Sequence, residues 1–540
     1  MLSSLAGLVQ SPLAVHFYDP THWNTNIQKT QLWLDSYKLH PVILYNAHFI
    51  TFKKRPPNIQ AILLNNGLIE KIYFKKSLLP QNIKKINLKG NYVIPGFTDC
   101  HTHFIARGIE LQRIDLEKCK SLNDCIEKLQ SELYENNEIL FGSNWDETGW
   151  GSFKLDKLTK HTLDKISKKK SIIMRRICGH FAVVNTRALN LIPQNRKIVD
   201  RENGYLYEDI ALNLDEIFKP SNVMLEKAIK LGTTEALKNG ITTVHEITDP
   251  RRFRLLQKIK KTKGLKIRCA AYITSKYFYD VLSSGISSGF GDDFLKFAGI
   301  KIFLDGSVGA KTAAMTKPYN YSRTKGKILI TIRKLEDIIR KAEDNSIQLM
   351  IHSIGDRTTD TISRVFERNI DKENPLRHRL EHIEILNTSS MRKIAKMNLI
   401  VSMQPNFVRR WQKPGGMYEQ YLGKRYREMN CFKKLLDSGI RVIFGSDCMP
   451  LGPLYGIQGA LEHPFSCGRL STCAAFRAYT KDGAYATFDE NKKGTIDTNK
   501  LADLVVLDKN PLKEKEPDKI KILMVLIAGK IVYRRANVSH

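Results

Sequence analysis

Long apolar runs and a leader-like segment are both missing from the chain. No apolar stretch approaches the roughly 18 residues that a membrane-spanning helix needs, and the longest, 520–527 and 502–507, are strand-sized. Residues 1–30 show no basic stretch followed by an apolar core, so no secretory signal peptide is indicated. With 42% hydrophobic and 9% aromatic residues, the 540-residue chain can bury a sizeable core. Global disorder, collagen-like and coiled-coil classes are therefore excluded.

Cysteine is sparse and follows no pattern. The nine cysteines form no CxxC pair and keep no regular spacing. This argues against a disulfide framework and against a thiolate zinc site, and it favours a reducing compartment. We expect a cytoplasmic protein without a membrane partner.

Acidic residues are too few to balance the basic ones. The chain has 86 Lys and Arg against 55 Asp and Glu, a formal net charge of +31. Such a surplus can mark a nucleic-acid or anionic-membrane partner. Here it is spread over short runs such as 258–263, without the interleaved aromatic residues of a stacking platform or the spacing of a DNA-binding motif. We expect no nucleic-acid partner, and a homo-oligomer stays open.

The two terminal parts of the chain share a strand-like texture. Residues 43–52 and 59–74 mix apolar and polar residues around an Asn-Asn-Gly turn at 65–67, which is typical of antiparallel strands. The same texture returns only in 500–508 and 521–533. We predict a small β-sandwich domain made from residues 41–94 and 487–540, preceded by an N-terminal extension, residues 1–40.

Between these parts, short apolar strands alternate with longer amphipathic helices over residues 95–486. The candidate strands are 94–97, 171–175, 242–246, 297–304, 349–352, 379–382, 400–403 and 441–446. No GxGxxG follows the first strand, which disfavours a doubly wound sheet. Eight strands alternating with helices predict an α/β fold, a (β/α)8 TIM-like barrel inserted into the β-sandwich.

Four histidines and one aspartate fall at predicted strand ends, where parallel barrels carry their functional groups. His101 and His103 follow the first strand and point to the same side, His352 and His382 follow the fifth and sixth, and Asp447 follows the eighth. Imidazoles with a carboxylate suit zinc or another late divalent ion, and an incomplete protein shell leaves room for water. The pattern predicts a catalytic metal site rather than a closed structural one.

Eight motifs follow one another along the chain. They are VIPGFTDCHTH (93–103), GSNWDE (142–147), RRICGHFAVVN (175–185), KIFLDGSVGAKTA (301–313), IHSIGDR (351–357), RLEHIE (379–384), FGSDCMPLGP (444–453) and KLADLVVLD (500–508). Together they resemble the amidohydrolase superfamily, more narrowly its family 3 branch of metal-dependent hydrolases. The resemblance implies a metal centre at the barrel mouth. It also implies hydrolysis of C–N bonds other than peptide bonds, in amides, N-substituted formamides or similar small-molecule substrates.

The same resemblance suggests roles for further residues. In binuclear members a lysine at the end of the fourth strand is carboxylated by CO2 and bridges two metals, and Lys301 is the matching candidate. Burial on its apolar strand would favour the free amine that carboxylation needs. Without this bridge the site would be mononuclear. His180 resembles the family's Gly-His element and, with Trp145 and Asp305, is expected to contact the substrate.

These parts predict a mechanism. One or two divalent metals, with zinc as the first choice, would bind a hydroxide that attacks the substrate carbonyl. Asp447 would act as general base during the attack and then as general acid toward the leaving nitrogen.

Two alternative functions stay open. A mononuclear deaminase of the same superfamily typically carries a Glu three residues after the fifth-strand histidine, whereas position 355 is Gly. The second alternative is a non-catalytic, basic binding protein on a barrel that has lost its catalytic activity. Such a protein has no reason to keep metal-binding residue types at five strand ends.

Overall fold

A computed structural model of the chain describes residues 40–52, 57–133, 139–147, 150, 154–177, 181–194, 199–207, 210–211 and 214–536. Its centre is an eight-stranded sheet in which each strand pairs in parallel with the next one in chain order. The barrel strands, numbered first to eighth, are Phe97–Thr102, Ile241–Thr248, Arg268–Thr274, Leu295–Phe303, Leu349–Ser353, Arg379–His382, Ile400–Met403 and Val442–Phe444.

The first and eighth strands meet at the carboxyl-terminal mouth of the barrel. The backbone N–H of Asp447 donates to the carbonyl of His101 at 2.8 Å, and that of Ser446 donates to Asp99 Oδ1 at 2.8 Å. A Cβ at Gly445 would lie 2.6 Å from the Cβ of His101, so only glycine permits this approach. Barrel closure therefore brings two predicted site residues together.

Helices cover the outside of the barrel and part of its mouth. They are Phe104–Glu110, Asn222–Lys238, Pro250–Lys263, Phe278–Ser283, Ile332–Asp344, Asp356–Asn369, Thr388–Lys396, Pro405–Trp411, Met417–Leu422, Phe432–Asp437, Pro453–Leu461, Thr472–Ala478 and Lys481–Tyr485. Helix Ile332–Asp344 shows why they form: it buries Leu335, Ile338, Ile339 and Ala342 on one face, and the Thr331 side chain caps its first turn.

Two smaller sheets form the predicted β-sandwich. One contains Val42–Tyr45, Ala61–Asn65, Leu68–Tyr73 and Lys84–Asn87, and the other contains His48–Phe49, Tyr92–Pro95, Leu504–Leu507, Ile522–Ile527 and Lys530–Arg534. Strand Leu504–Leu507 pairs antiparallel with Tyr92–Pro95, so both ends of the chain contribute to one sheet. Leu44 and Ile62 share a buried core with Val506 and Leu526 of the other sheet. The predicted fold class is confirmed.

One predicted barrel strand lies outside the barrel. Ser171–Arg176 belongs to a separate six-stranded sheet, inserted between the first and second barrel strands, together with Ile114–Asp115, Ile139–Trp145, Phe181–Val184, Val199–Asp200 and Tyr205–Tyr207. Helices Leu122–Ser131, Lys160–Asp164, Thr186–Leu189 and Leu214–Ile217 accompany it. The third barrel strand is Arg268–Thr274, which the sequence prediction missed. Both strands are short and mostly buried, so local composition does not distinguish them.

The first barrel strand also begins later than predicted. Tyr92–Pro95 pairs inside the sandwich, and the barrel strand is Phe97–Thr102. His101 therefore lies within the strand, and His103 follows its end. The shift leaves both imidazoles at the mouth.

One cysteine pair is bonded, although the cysteine spacing gave no sign of a disulfide framework. Cys431 and Cys467 are bonded to each other although they are 36 positions apart in the sequence. Tertiary packing, not a spacing motif, brings them together. Separately, no helix in the ranges that the structure describes is both long and apolar enough to cross a membrane.

A buried ion pair joins the barrel to the sandwich. Arg268, at the start of the third barrel strand, donates to both carboxylate oxygens of Asp503 at 2.6 and 2.9 Å. Asp503 also accepts from the backbone N–H of Ala528 at 2.9 Å. The Arg268 guanidinium lies over the Phe294 ring. Both charged side chains are almost fully excluded from water.

We expect Arg268→Met to lower the free energy of unfolding by about 3 to 5 kcal/mol, because Asp503 would keep an uncompensated buried charge. Denaturant unfolding followed by circular dichroism measures the change. As a control, Lys509→Met removes the exposed pair with Glu514 and should give no resolvable change. Equal midpoints for Arg268→Met and the parent chain would contradict the assigned role.

Candidate metal centre

Three side chains from different strands converge at the barrel mouth. His101 of the first strand, His382 of the sixth and Asp447 after the eighth each offer a ligand atom, and these atoms lie within 4.8 Å of one another. His101 Nε2 is 3.8 Å from Asp447 Oδ1, and the rings of His101 and His382 are 4.8 Å apart. The three groups are close enough to share one cation.

Two further predicted ligands border this group. His103 Nε2 lies 3.2 Å from Asp447 Oδ1, and about a third of the His103 side chain is exposed. Lys301 Nζ, on the fourth strand and fully buried, lies 3.4 Å from His101 Nε2. Barrel closure thus assembles residues from the first, fourth, sixth and eighth strands around one point.

His352 reaches the same place with a different orientation. Its ring packs against that of His382 at 4.5 Å. Its Nε2 donates to the carbonyl of Gly306 at 3.0 Å and lies 3.5 Å from Asp305 Oδ1. The structure therefore brings all six predicted ligand residues together, with His352 Nε2 directed at the turn after the fourth strand.

The backbone is strained at two of the predicted ligands. His382 and Asp447 have φ values of 72° and 51°, and the residues after them, Ile383 and Cys448, also have positive φ. Positive φ is unfavourable for residues other than glycine, above all for a β-branched one. Strain of this kind persists only where the surrounding structure holds it, and it clusters at functional sites.

Burial sets the protonation states at the site. It lowers the pKa values of His101, His352 and His382, so these imidazoles are neutral near pH 7. It also lowers the pKa of Lys301 to about 8. For Asp447, burial acts to raise the pKa, but the neighbouring histidines and Lys301 outweigh it and the pKa falls. Neutral imidazoles beside an ionised carboxylate are the forms that bind metal.

The two histidines of the compact group are oriented through their Nδ1 atoms. His101 Nδ1 donates to Glu381 Oε2 at 2.5 Å, and His382 Nδ1 donates to Gln404 Oε1 at 2.7 Å. Each ring therefore keeps Nε2 for a ligand. A hydrogen-bond acceptor behind a metal-binding imidazole fixes its tautomer and raises its basicity.

Arg379 in turn holds Glu381. Its Nε donates to Glu381 Oε1 at 2.6 Å and its Nη2 to Oε2 at 3.1 Å. Nη2 also donates to the carbonyl of Cys100 at 2.7 Å, and Nη1 contacts His245 Nδ1 at 2.9 Å. Arg379, Glu381 and His245 are fully buried, so the network orients His101 in a water-free environment.

Sequence reasoning missed Arg379, Glu381 and Gln404 as site residues. A signal was present for the first two. Residues two apart on a strand point to the same face, and that spacing in RLEHIE places an arginine beside a carboxylate. Gln404 carries no such signal, because only the packing of neighbouring strands places its amide behind His382.

The predicted substrate residues fall in different surroundings. Trp145 is buried against Trp150 and Phe181 in the inserted sheet, and across the described ranges no hydrogen bond or ring contact joins it to the four histidines. Asp305 is buried, and both its carboxylate oxygens accept hydrogen bonds, from backbone N–H groups of neighbouring loops and from the Thr358 hydroxyl of helix Asp356–Asn369. His180 lies outside the described residues. The substrate roles of all three stay predictions.

Comparison with known proteins agrees with this geometry. The sequence model of the amidohydrolase family matches residues 84–533. The chain belongs to the amidohydrolase family. This confirms the resemblance seen in the sequence motifs and identifies the protein as a hydrolase.

Similar proteins cover most of this amidohydrolase. It is 25% identical over 538 residues to the putative amidohydrolase YtcJ of Bacillus subtilis. The alignment covers 92% of this chain and 99% of YtcJ. The chain is 20% identical to the N-substituted formamide deformylase of Arthrobacter pascens, over 93% of this chain and 99% of that one. An uncharacterized metal-dependent hydrolase from Pyrococcus furiosus superposes with a TM-score of 0.79 at 23% identity, over 88% of this chain and 100% of that one.

We expect Glu381→Gln to weaken Zn²⁺ binding about 10- to 100-fold, because an amide no longer fixes His101 as a carboxylate does. Titration of the apoprotein with Zn²⁺ against a competing chelator measures the affinity. Glu343→Gln is the matched control. Glu343 lies away from the site, and its Oε1 is 2.5 Å from Nε2 of the buried His378. Equal Zn²⁺ affinities for Glu381→Gln and Glu343→Gln would contradict the role of Glu381.

Proposed function

We propose that this amidohydrolase is a metal-dependent hydrolase of C–N bonds other than peptide bonds, acting on small amides, N-substituted formamides or related groups. The observation that carries the proposal is the convergence of His101, His382 and Asp447 within 4.8 Å at the mouth of the barrel. The relative named as an N-substituted formamide deformylase supports the substrate class. The structural neighbour named as a metal-dependent hydrolase supports the use of a metal.

The side chains fit a divalent ion such as zinc. Neutral imidazoles and an ionised carboxylate are its usual nitrogen and oxygen ligands. The proposed ligands are His101, His103, His352, His382 and Asp447, with Lys301 beside them, and of these His352 directs its Nε2 at the Gly306 carbonyl in this structure. When bound, the ion would polarise the substrate carbonyl and lower the pKa of water toward neutrality.

Asp447 is the proposed proton carrier. The neighbouring histidines keep its carboxylate ionised, and part of its side chain is open to solvent at the mouth. It accepts a proton from the attacking water and passes it to the leaving nitrogen. Its Oδ1 lies 3.8 Å from His101 Nε2 and 3.2 Å from His103 Nε2, so the carboxylate belongs to the same cluster as the imidazoles.

Lys301 is the proposed bridge between two ions. Its amine is fully buried, and among the described residues no carboxylate lies within ion-pair distance of it. A pKa of about 8 leaves a fraction of the amine unprotonated at neutral pH. That amine can attack CO2, forming an N–C bond and releasing a proton, and the two oxygens of the resulting carbamate would face the cluster.

The geometry at Gly355 supports hydrolysis over deamination. A deaminase of this superfamily would carry its proton-delivering Glu at this position. A Cβ at Gly355 would lie 2.1 Å from the carbonyl oxygen of Ala314, so the backbone leaves no room for any side chain. The Gly355 N–H instead donates to Asp305 Oδ2 at 2.9 Å.

Metal content tests the Lys301 bridge. We expect about two divalent ions per chain in protein purified without chelator, and about one or none in Lys301→Ala, because the bridging ligand is lost. Elemental analysis gives the stoichiometry. Lys296→Ala is the matched control, because Lys296 lies on the same strand but pairs with Asp489 away from the histidines. About one ion per chain in both the parent and Lys301→Ala would contradict the proposed bridge.

Activity tests the reaction class. We expect amine release from a panel of simple amides and N-substituted formamides, abolished by chelator and restored by Zn²⁺. Asp447→Asn should lower kcat by about 10²- to 10⁴-fold, because an amide does not accept the proton. Asp337→Asn, on an outer helix where Asp337 pairs with Lys341, should keep the parent rate. Metal-loaded protein that releases no amine from any of these substrates would refute the proposal.

A further inference from the structure

A cavity lies far from the histidines. A groove of about 610 Å³ opens between helices Asn222–Lys238 and Pro250–Lys263, the turn that follows them and the last strand, Lys530–Arg534. We call it the basal groove. Its volume is within the range of small-molecule sites, about 300 to 1,000 Å³, and such sites favour the junctions between domains.

The basal groove is at the opposite end of the barrel from the metal centre. Leu237 and Lys266 line it, and each precedes the amino end of a barrel strand, Ile241–Thr248 or Arg268–Thr274. In a parallel barrel all strands end at the opposite rim, and each strand residue adds about 3.3 Å to the distance from the groove to that rim. A ligand in the groove therefore does not touch the catalytic cluster.

The floor of the groove is aliphatic. Ile229, Leu237 and Leu265 are largely buried in the barrel core, and Ile259 and Val532 are partly buried against it. They come from both outer helices, the turn and the sandwich. The floor offers an apolar surface that a hydrocarbon body can cover.

The rim of the groove is cationic. Lys227, Lys230 and Lys266 line it and are exposed. In the part of the chain that the structure describes, no carboxylate lies within ion-pair distance of these three side chains. The one carboxylate of the lining, Glu226, already accepts from Lys258 at 2.9 Å and from Lys263 at 3.3 Å.

We propose that the basal groove is a second binding site, for a small amphipathic anion of the long-chain carboxylate type. The aliphatic floor takes the hydrocarbon chain, and the lysine rim takes the carboxylate. A compact anion such as phosphate would use the rim and leave the floor uncovered. Because the groove includes both barrel helices and a sandwich strand, the bound molecule spans their junction.

Calorimetric titration of the metal-loaded full chain with dodecanoate tests the site. We expect one dodecanoate per chain. Dodecylamine, with the same chain and opposite charge, and acetate, with the charge and no chain, should bind at least about tenfold more weakly. Amide hydrolysis is measured in parallel, so failure of this site and failure of the proposed reaction are distinguishable.

Paired charge reversals locate the binding. Lys227→Glu with Lys230→Glu should weaken dodecanoate binding by about tenfold or more. Lys154→Glu with Lys157→Glu, two exposed lysines beside the inserted sheet, should not change it. All four side chains are exposed, so both variants should fold.

Three results would overturn the proposal. Equal affinities for dodecanoate and dodecylamine would show that the lysine rim does not bind the carboxylate. Dodecanoate binding that the groove variant leaves unchanged would place the site elsewhere. If the chain binds phosphatidylserine vesicles but not dodecanoate, and Lys227→Glu with Lys230→Glu abolishes the vesicle binding, this face would be assigned to a membrane surface instead.

Discussion

Closure of the barrel is the constraint on which the candidate site depends. The eighth strand reaches the first through the hydrogen bond from the Asp447 N–H to the His101 carbonyl and through the close approach of Gly445 to His101. Parallel strands that close in this way end at one rim, so polar side chains distant in the sequence meet there. The positive φ of Asp447 is held by the same contact region. Without closure, the carboxylate and the histidines would have no common centre.

The chemistry of the site follows from burial. Removing imidazoles and an amine from water favours their neutral forms, which are the forms that bind metal or react with CO2. Burying an arginine or a glutamate is costly unless the two charges are paired. Arg379 and Glu381 pair with each other, and Glu381 Oε2 also accepts a hydrogen bond from His101 Nδ1. The charge that the fold must bury is thus placed where it orients the His101 imidazole.

The two ends of the barrel carry different properties. The mouth gathers histidines, a lysine and a carboxylate, whereas the base meets the sandwich through the Arg268–Asp503 pair and the basal groove. Loops at the mouth can vary without disturbing this junction, because the junction is built from amino-terminal strand ends. The chain separates the proposed chemistry from the contacts that join its parts.

The sequence by itself determined the fold class, because periodicity reports burial and the order of the motifs reports strand ends. Those motifs also carried the family resemblance, which added Lys301 to the histidines and the aspartate that the structure places at the mouth. It did not decide which strands enter the barrel: Ser171–Arg176 and Arg268–Thr274 are both short and buried, and only their pairing partners separate them. The acceptors behind His101 and His382 and the Cys431–Cys467 bond were likewise decided by tertiary structure. A local pattern states that a side chain is buried, whereas its contact partner depends on strand register and on the packing of distant segments.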